Sequence, residues 1–269
     1  MRLDVSWAKR RWSALVVGSL GMAACALSVL LVSDDPVARP RQQPSGPTEP
    51  LLPASAPPNG GTALPRLGLA ANLAVLGRSP QRQLAGWASS MSDLLNVPRA
   101  ALQAYGYATI RLQRERPACR ITWTVLAGIG QVESNHGRFN GARLGPDARP
   151  TLPIRGLPLD GRPGVKSIPD SDGGRLDGDT VWDRAVGPMQ FIPTTWRDWE
   201  ADADGDGLAD PNDLDDAALA AARYLCASGG DLGTEDGWWR GVLTYNESRR
   251  YAQDVLDRAD RYGRLSRRL

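Results

Sequence analysis

Histidine is almost absent from this chain of 269 residues: His136 stands alone. A Ser-His-Asp or Cys-His site would have to be built on that one side chain, and no G-x-S-x-G elbow accompanies it. No metal-ligand spacing surrounds His136, which argues against zinc and leaves it as a polar residue at a helix end. Lysine is scarce too, with Lys9 and Lys166 alone among 32 basic residues. A net charge of +2 removes any global electrostatic case for nucleic acid. Long alternating strand patterns and internal repeats are missing, so a mainly helical protein is expected. What remains for catalysis is carboxylate chemistry.

The amino terminus divides by composition. Basic residues Arg2, Lys9, Arg10 and Arg11 lie within 1–11, a cytoplasmic tail by the positive-inside rule. Trp12–Val32 is uncharged and long enough to cross a bilayer, so a transmembrane signal anchor is expected. A cleaved signal peptide and a lipoprotein-type site at Cys25 are the alternatives. All three readings put the rest of the chain outside the cytoplasm. Residues 33–66, rich in Pro, Gly, Ser and Ala, are expected to be a disordered linker, with the folded domain over 67–269. Cys119 and Cys226 fall in that exported part. They suit either a disulfide or two separate buried thiols.

Helical signals cover Leu69–Asn96 and Val97–Arg116, with Pro98 suited to a first turn and Pro117 to a stop. Phe139–Asp183 is a long loop rich in Gly, Pro and Asp, expected to form a wall or lid over a cleft. Shorter helices follow at about 193–200, 216–227, 238–243 and 248–262.

The chain is organised around Ile121–Arg138, ITWTVLAGIGQVESNHGR. Thr122 is a candidate N-cap, and Leu126, Ile129 and Glu133 share one helical stripe. A carboxyl held against apolar surface has its charged form disfavoured, so Glu133 can carry a proton near neutral pH, as a general acid must. The plainer reading makes it a last-turn residue facing water. Gly128 and Gly130 each cost about 1 kcal/mol in a helix interior, which implies close packing there.

Residues 202–213 read DADGDGLADPND. Asp202, Asp204, Asp206, Gly207 and Asp210 match positions 1, 3, 5, 6 and 9 of an EF-hand loop, with the Leu208 carbonyl at 7 and Asp213 at 12. Hard oxygens and a turn glycine suit a structural Ca²⁺, although Asp213 is shorter than the usual Glu. The alternative is an empty Asp-rich turn. Asp170, Asp172, Asp177 and Asp179 lack such spacing and read as solvated surface.

Several motifs then converge. Glu133-Ser134-Asn135-His136-Gly137 resembles the E-S-x-x-G motif of lytic transglycosylases and goose-type lysozymes. Gly187-Pro188-Met189-Gln190-Phe191 is similar to their G-x-M-Q-F, Ala221-Ala222-Arg223-Tyr224-Leu225 to their alanine-rich helix, and Tyr245-Asn246 to their Y-N. With the EF-hand-like loop between the second and third motifs, the chain resembles lytic transglycosylases of the membrane-bound B type. The resemblance implies a lysozyme-like α+β fold and cleavage of the MurNAc–GlcNAc bond in peptidoglycan glycan strands, with 1,6-anhydroMurNAc ends as product. It implies Glu133 as sole acid/base, sugar binding by Gln190, Tyr245 and Asn246, support from Ser134, and a cleft lined by Met189 and Tyr224. No cofactor is implied for the chemistry. Trp238 and Trp239 are further candidates for stacking on sugar. Glu247, next to Asn246, is the residue by which a hydrolysing muramidase of the same fold would differ. A non-catalytic, calcium-stabilised wall-binding module is the other alternative.

Overall fold

Seven α-helices carry the fold within residues 55–67 and 79–269, the part that this computed structural model describes. A 3₁₀ turn at Pro80–Leu84 leads into α1 (Ala85–Leu95). Asn96 ends α1 in the left-handed region, where its short polar side chain is tolerated. Pro98 is the N-cap residue of α2 (Arg99–Glu115), and Pro117 opens a second 3₁₀ turn, Pro117–Cys119, so both prolines act as punctuation. The remaining helices are α3 (Trp123–Ser134), α4 (Pro193–Trp199), α5 (Leu214–Gly229), α6 (Glu235–Tyr245) and α7 (Arg249–Ser266).

Helix α5 is the centre of the packing. Every residue from Leu214 to Ala222 is buried. Its alanines add little girth, so α2 lies along one side and α6 folds back on another. Helix α3 runs along α7 at very close range. A Cβ on Gly128 would stand 2.8 Å from the Val255 carbonyl oxygen, and one on Gly130 would stand 2.0 Å from the Tyr105 hydroxyl. The helix-propensity cost of these two glycines is offset by that approach.

Four expectations change. First, the described residues contain no strand: pairing is limited to isolated bridges such as Arg155↔Val186 and Asp160↔Ser167, so the α+β character is not seen. Second, the expected linker does not run to residue 66 as free chain. Thr124 Oγ1 donates to the Asn59 carbonyl (3.0 Å) and Trp123 Nε1 to that of Thr62 (3.1 Å), docking residues 59–62 on α3. Third, Asp170, Asp172, Asp177 and Asp179 are not solvated surface, being buried or half-buried. The Asp170 carboxylate accepts the N–H groups of Asp172, Gly173 and Gly174, and Asp177 and Asp183 are buried. A segment without regular structure must satisfy its backbone donors through side chains. Fourth, the membrane-anchor expectation is corrected. No helix among the described residues is long and apolar enough to cross a membrane, and Trp12–Val32 lies outside them.

Cys119 and Cys226 are joined, with Sγ–Sγ 1.99 Å and Cα–Cα 5.4 Å. The bridge ties the start of α3 to the end of α5.

Candidate active site

Glu133 sits on the last turn of α3, half-buried at the base of a cleft of about 870 Å³. Burial raises its pKa to about 7, against the opposing pull of one hydrogen bond. That bond comes from Tyr251, whose hydroxyl donates to Oε1 at 2.6 Å. Tyr251 belongs to the first turn of α7, where the Ser248 hydroxyl accepts its backbone N–H as a cap. No motif in the sequence singled Tyr251 out. The signal was there in part: it follows Tyr245-Asn246 at the head of the strongly amphipathic last helix.

Behind Glu133 the chain turns sharply. Asn135, His136 and Gly137 all have positive φ. The buried Ser134 hydroxyl holds the turn, accepting from Gly137 N–H (2.8 Å) and donating to the Pro188 carbonyl (2.6 Å). This bond ties the helix end to the Gly187–Phe191 turn. Gly187 is required there, because φ is +75° and a Cβ would stand 1.8 Å from the Pro211 carbonyl oxygen. His136 is fully buried, with Nδ1 3.1 Å from the Tyr105 hydroxyl and Nε2 2.9 Å from the Tyr262 hydroxyl. Tyr262 donates to Gln131 Oε1 (2.5 Å), so His136 donates from Nε2 and accepts at Nδ1. Burial lowers its pKa to about 3, which keeps it neutral. It is a structural link between α2, α3 and α7 rather than a proton carrier.

The residues proposed from the motifs divide into two groups. Gln190, Tyr224, Tyr245 and Asn246 line the cleft together with Glu133. Ser134 and Met189 do not reach it: both are buried behind it, and Met189 offers its carbonyl to the Tyr245 hydroxyl at 2.7 Å. Tyr245 is thereby fixed in a row of rings, with Phe191 on one side (6.0 Å) and Tyr224 on the other (5.7 Å), and Trp199 beyond Tyr224 (5.5 Å). Trp238 is fully buried with Trp239 packed edge-on against it at 4.9 Å, and neither lines the cleft. The long loop supplies one wall, through residues such as Gly156, Leu157, Leu159 and Val165. Glu247 lies on the opposite rim, exposed and paired with Lys166 at 2.9 Å.

The acidic loop is arranged differently from the EF-hand register. Asp202, Asp204 and Asp216 bring carboxylate oxygens within 4.8 Å of one another. Asp213 instead caps α5, accepting Asp215 N–H at 2.8 Å, because it immediately precedes the helix. Arg149 pairs with Asp206 (3.5 Å), Asp210 and Asp213 (3.3 Å), and the Leu208 side chain is exposed. Burial and neighbouring acids raise Asp216 to about 7, and Asp204 is raised as well. The three oxygen donors fit a hard divalent cation, which would relieve that mutual repulsion. Asp216 was not in the sequence-derived set.

Residues 175–242 match the family described as Transglycosylase SLT domain. The matched segment is part of the chain, running from the end of the long loop into α6 and including the Gly187–Phe191 turn and α5. No curated protein matches it. Among solved structures, it is similar to the Escherichia coli lytic transglycosylase SLT35 in complex with bulgecin A (15% identity, 66% of this chain and 76% of that one, TM-score 0.39). The same enzyme in complex with calcium gives 14% identity, 74% and 84% coverage and a TM-score of 0.40. SltB3 from Pseudomonas aeruginosa in complex with NAG-anhNAM-pentapeptide gives 19%, 65%, 66% and 0.36.

Proposed function

We propose that this protein is a peptidoglycan lytic transglycosylase in which Glu133 is the single acid/base. The observation that carries the reading is the state of Glu133: a carboxyl at the base of a cleft, raised to about 7, hydrogen-bonded by Tyr251. Such a group protonates the glycosidic oxygen of a MurNAc–GlcNAc bond. As carboxylate it then takes the proton of the MurNAc 6-hydroxyl while that oxygen closes on C1, leaving a 1,6-anhydro end. Gln190, Tyr245 and Asn246 position the sugar, and Tyr224 supports Tyr245. Hydrolysing glycosidases place two carboxyls roughly 5–9.5 Å apart. Here the other carboxylate on the cleft, Glu247, is largely exposed rather than buried as Glu133 is, which favours the single-acid route over the muramidase reading.

Calcium has a structural role in this reading, held by Asp202, Asp204 and Asp216 at the start of α5, and supplies none of the chemistry. The disulfide supports action outside the cytoplasm, in the cell envelope.

Digestion of purified peptidoglycan by the full chain and by Glu133→Gln, with products read by mass spectrometry, tests the proposal. Anhydro ends that vanish in the variant are expected. Reducing ends would make the protein a muramidase. Wall binding without products from either protein would make it a binding module.

A further inference from the structure

The cleft carries three ionisable side chains among its lining residues, and two of them are acids: Glu133 and Glu247. Lys166 is its one cation. It is also the only lysine of the described residues, since the other, Lys9, lies outside them. Lys166 is carried by a hairpin turn over 159–168, in which Ile168 N–H donates to the Leu159 carbonyl (2.8 Å) and Gly161 N–H to that of Lys166 (3.1 Å). Its ammonium reaches across the mouth of the cleft to Glu247 Oε1, and both side chains are largely exposed, 61% and 76%. An ion pair that wet is weak and exchanges its partner easily.

The chemistry of the substrate gives this arrangement a use. A strand of neutral amino sugars needs no cation for binding. A muramoyl residue carries a lactyl ether at C3, and either that group or the peptide attached to it presents a carboxylate. The Glu247 carboxylate repels such a strand unless a cation meets it. Resting on the reading of the cleft as a peptidoglycan site, we infer that Lys166 is a specificity residue. Its ammonium leaves Glu247 to bind a carboxylate of the muramoyl substituent, so the cleft selects anionic muramoyl strands, and Glu247 holds Lys166 in place while the cleft is empty.

The test compares kcat/KM of the full chain, Lys166→Met, Lys166→Arg and Glu247→Gln on four substrates. These are peptide-bearing glycan strands, amidase-stripped strands with free lactyl carboxylates, and each of the two after carbodiimide amidation of its carboxyls. The wild type is expected to favour untreated over amidated strands by about three- to fivefold at low salt, and less at high salt. Lys166→Met brings that ratio to about 1, Lys166→Arg keeps it, and Glu247→Gln widens it. A ratio lost only on peptide-bearing strands assigns the carboxylate to the stem, and one lost only on stripped strands assigns it to the lactyl group. An unchanged ratio in Lys166→Met overturns the inference. Product ends report separately on the cleavage reading, and co-sedimentation of Glu133→Gln with the same four substrates gives the ratio without turnover.

Discussion

The Tyr251 hydroxyl donates a 2.6 Å hydrogen bond to Glu133, joining residues 118 positions apart in the chain. It works against the burial that raises the Glu133 pKa, because a donor favours the charged form. The acid is therefore tuned by two opposing causes, and each can be removed by itself.

Activity that begins with protonated Glu133 should fall as pH rises through about 7. Tyr251→Phe deletes the donor, leaves burial in place and moves that limb to higher pH, with a rate loss of roughly tenfold or more. A pH–rate profile of kcat/KM for the two proteins checks this. A limb that stays where it was would mean that Tyr251 does not bear on the ionisation.

The same shift has a cost in stability. Below the unfolded pKa, about 4.3, Glu133 is protonated in both states and the wild type should match Glu133→Gln. Between there and about 7 the unfolded chain releases a proton that the folded protein retains, so wild-type stability declines. At pH 8 Glu133→Gln should be more stable by about 2–3 kcal/mol, less than the full pKa shift implies because the cleft is open to water. Urea titrations at pH 4 and pH 8 measure the difference. A pH-independent gap would contradict it.

Ser134→Ala removes the hydroxyl that serves both Gly137 N–H and the Pro188 carbonyl. Both groups then lack a partner in a buried place, at about 1–3 kcal/mol. The Gly187–Phe191 turn loses its tether to α3, and Gln190 moves with it. Substrate affinity should weaken along with thermal stability. Wild-type stability in this variant would show that the turn holds without the serine.

Reduction of Cys119–Cys226 opens a link with a sequence separation of 107. Loop-closure entropy for a span of that length is worth about 4–5 kcal/mol in the chain-entropy model. The double variant Cys119→Ala/Cys226→Ala should lose most of this in denaturant titrations, and added thiol should leave its transition unmoved while lowering that of the wild type.

For the acidic loop, added Ca²⁺ should raise the melting temperature of the wild type and not that of Asp216→Asn. Asp213→Asn should keep the calcium response, because Asn still caps a helix. If Asp213→Asn abolishes the response and Asp216→Asn does not, the EF-hand register applies instead of the observed cluster.

Much of this protein is written locally. The α3 stripe of Leu126, Ile129 and Glu133, the proline stops, the Asp-rich loop and the four ordered motifs are short-range patterns, and the helices from α2 onward formed close to where periodicity placed them. Of the expected Leu69–Asn96 span, Ala85–Leu95 is α-helix and residues 69–78 lie outside the described residues. The cleft residues Glu133, Gln190, Tyr224, Tyr245 and Asn246 were named by motif for the same reason. Which way each side chain points was decided by packing. Met189 and Ser134 belong to motifs yet lie behind the cleft, because the Gly187 turn folds its own apolar residue inward. Tyr251, Lys166 and Asp216 reach Glu133, Glu247 and Asp202 only when separate segments are brought together. A one-dimensional pattern carries spacing along the chain. The approach of α3 to α7, and of the long loop to the end of α6, depends on tertiary burial and the close contacts that glycine permits, and no local signal encodes it.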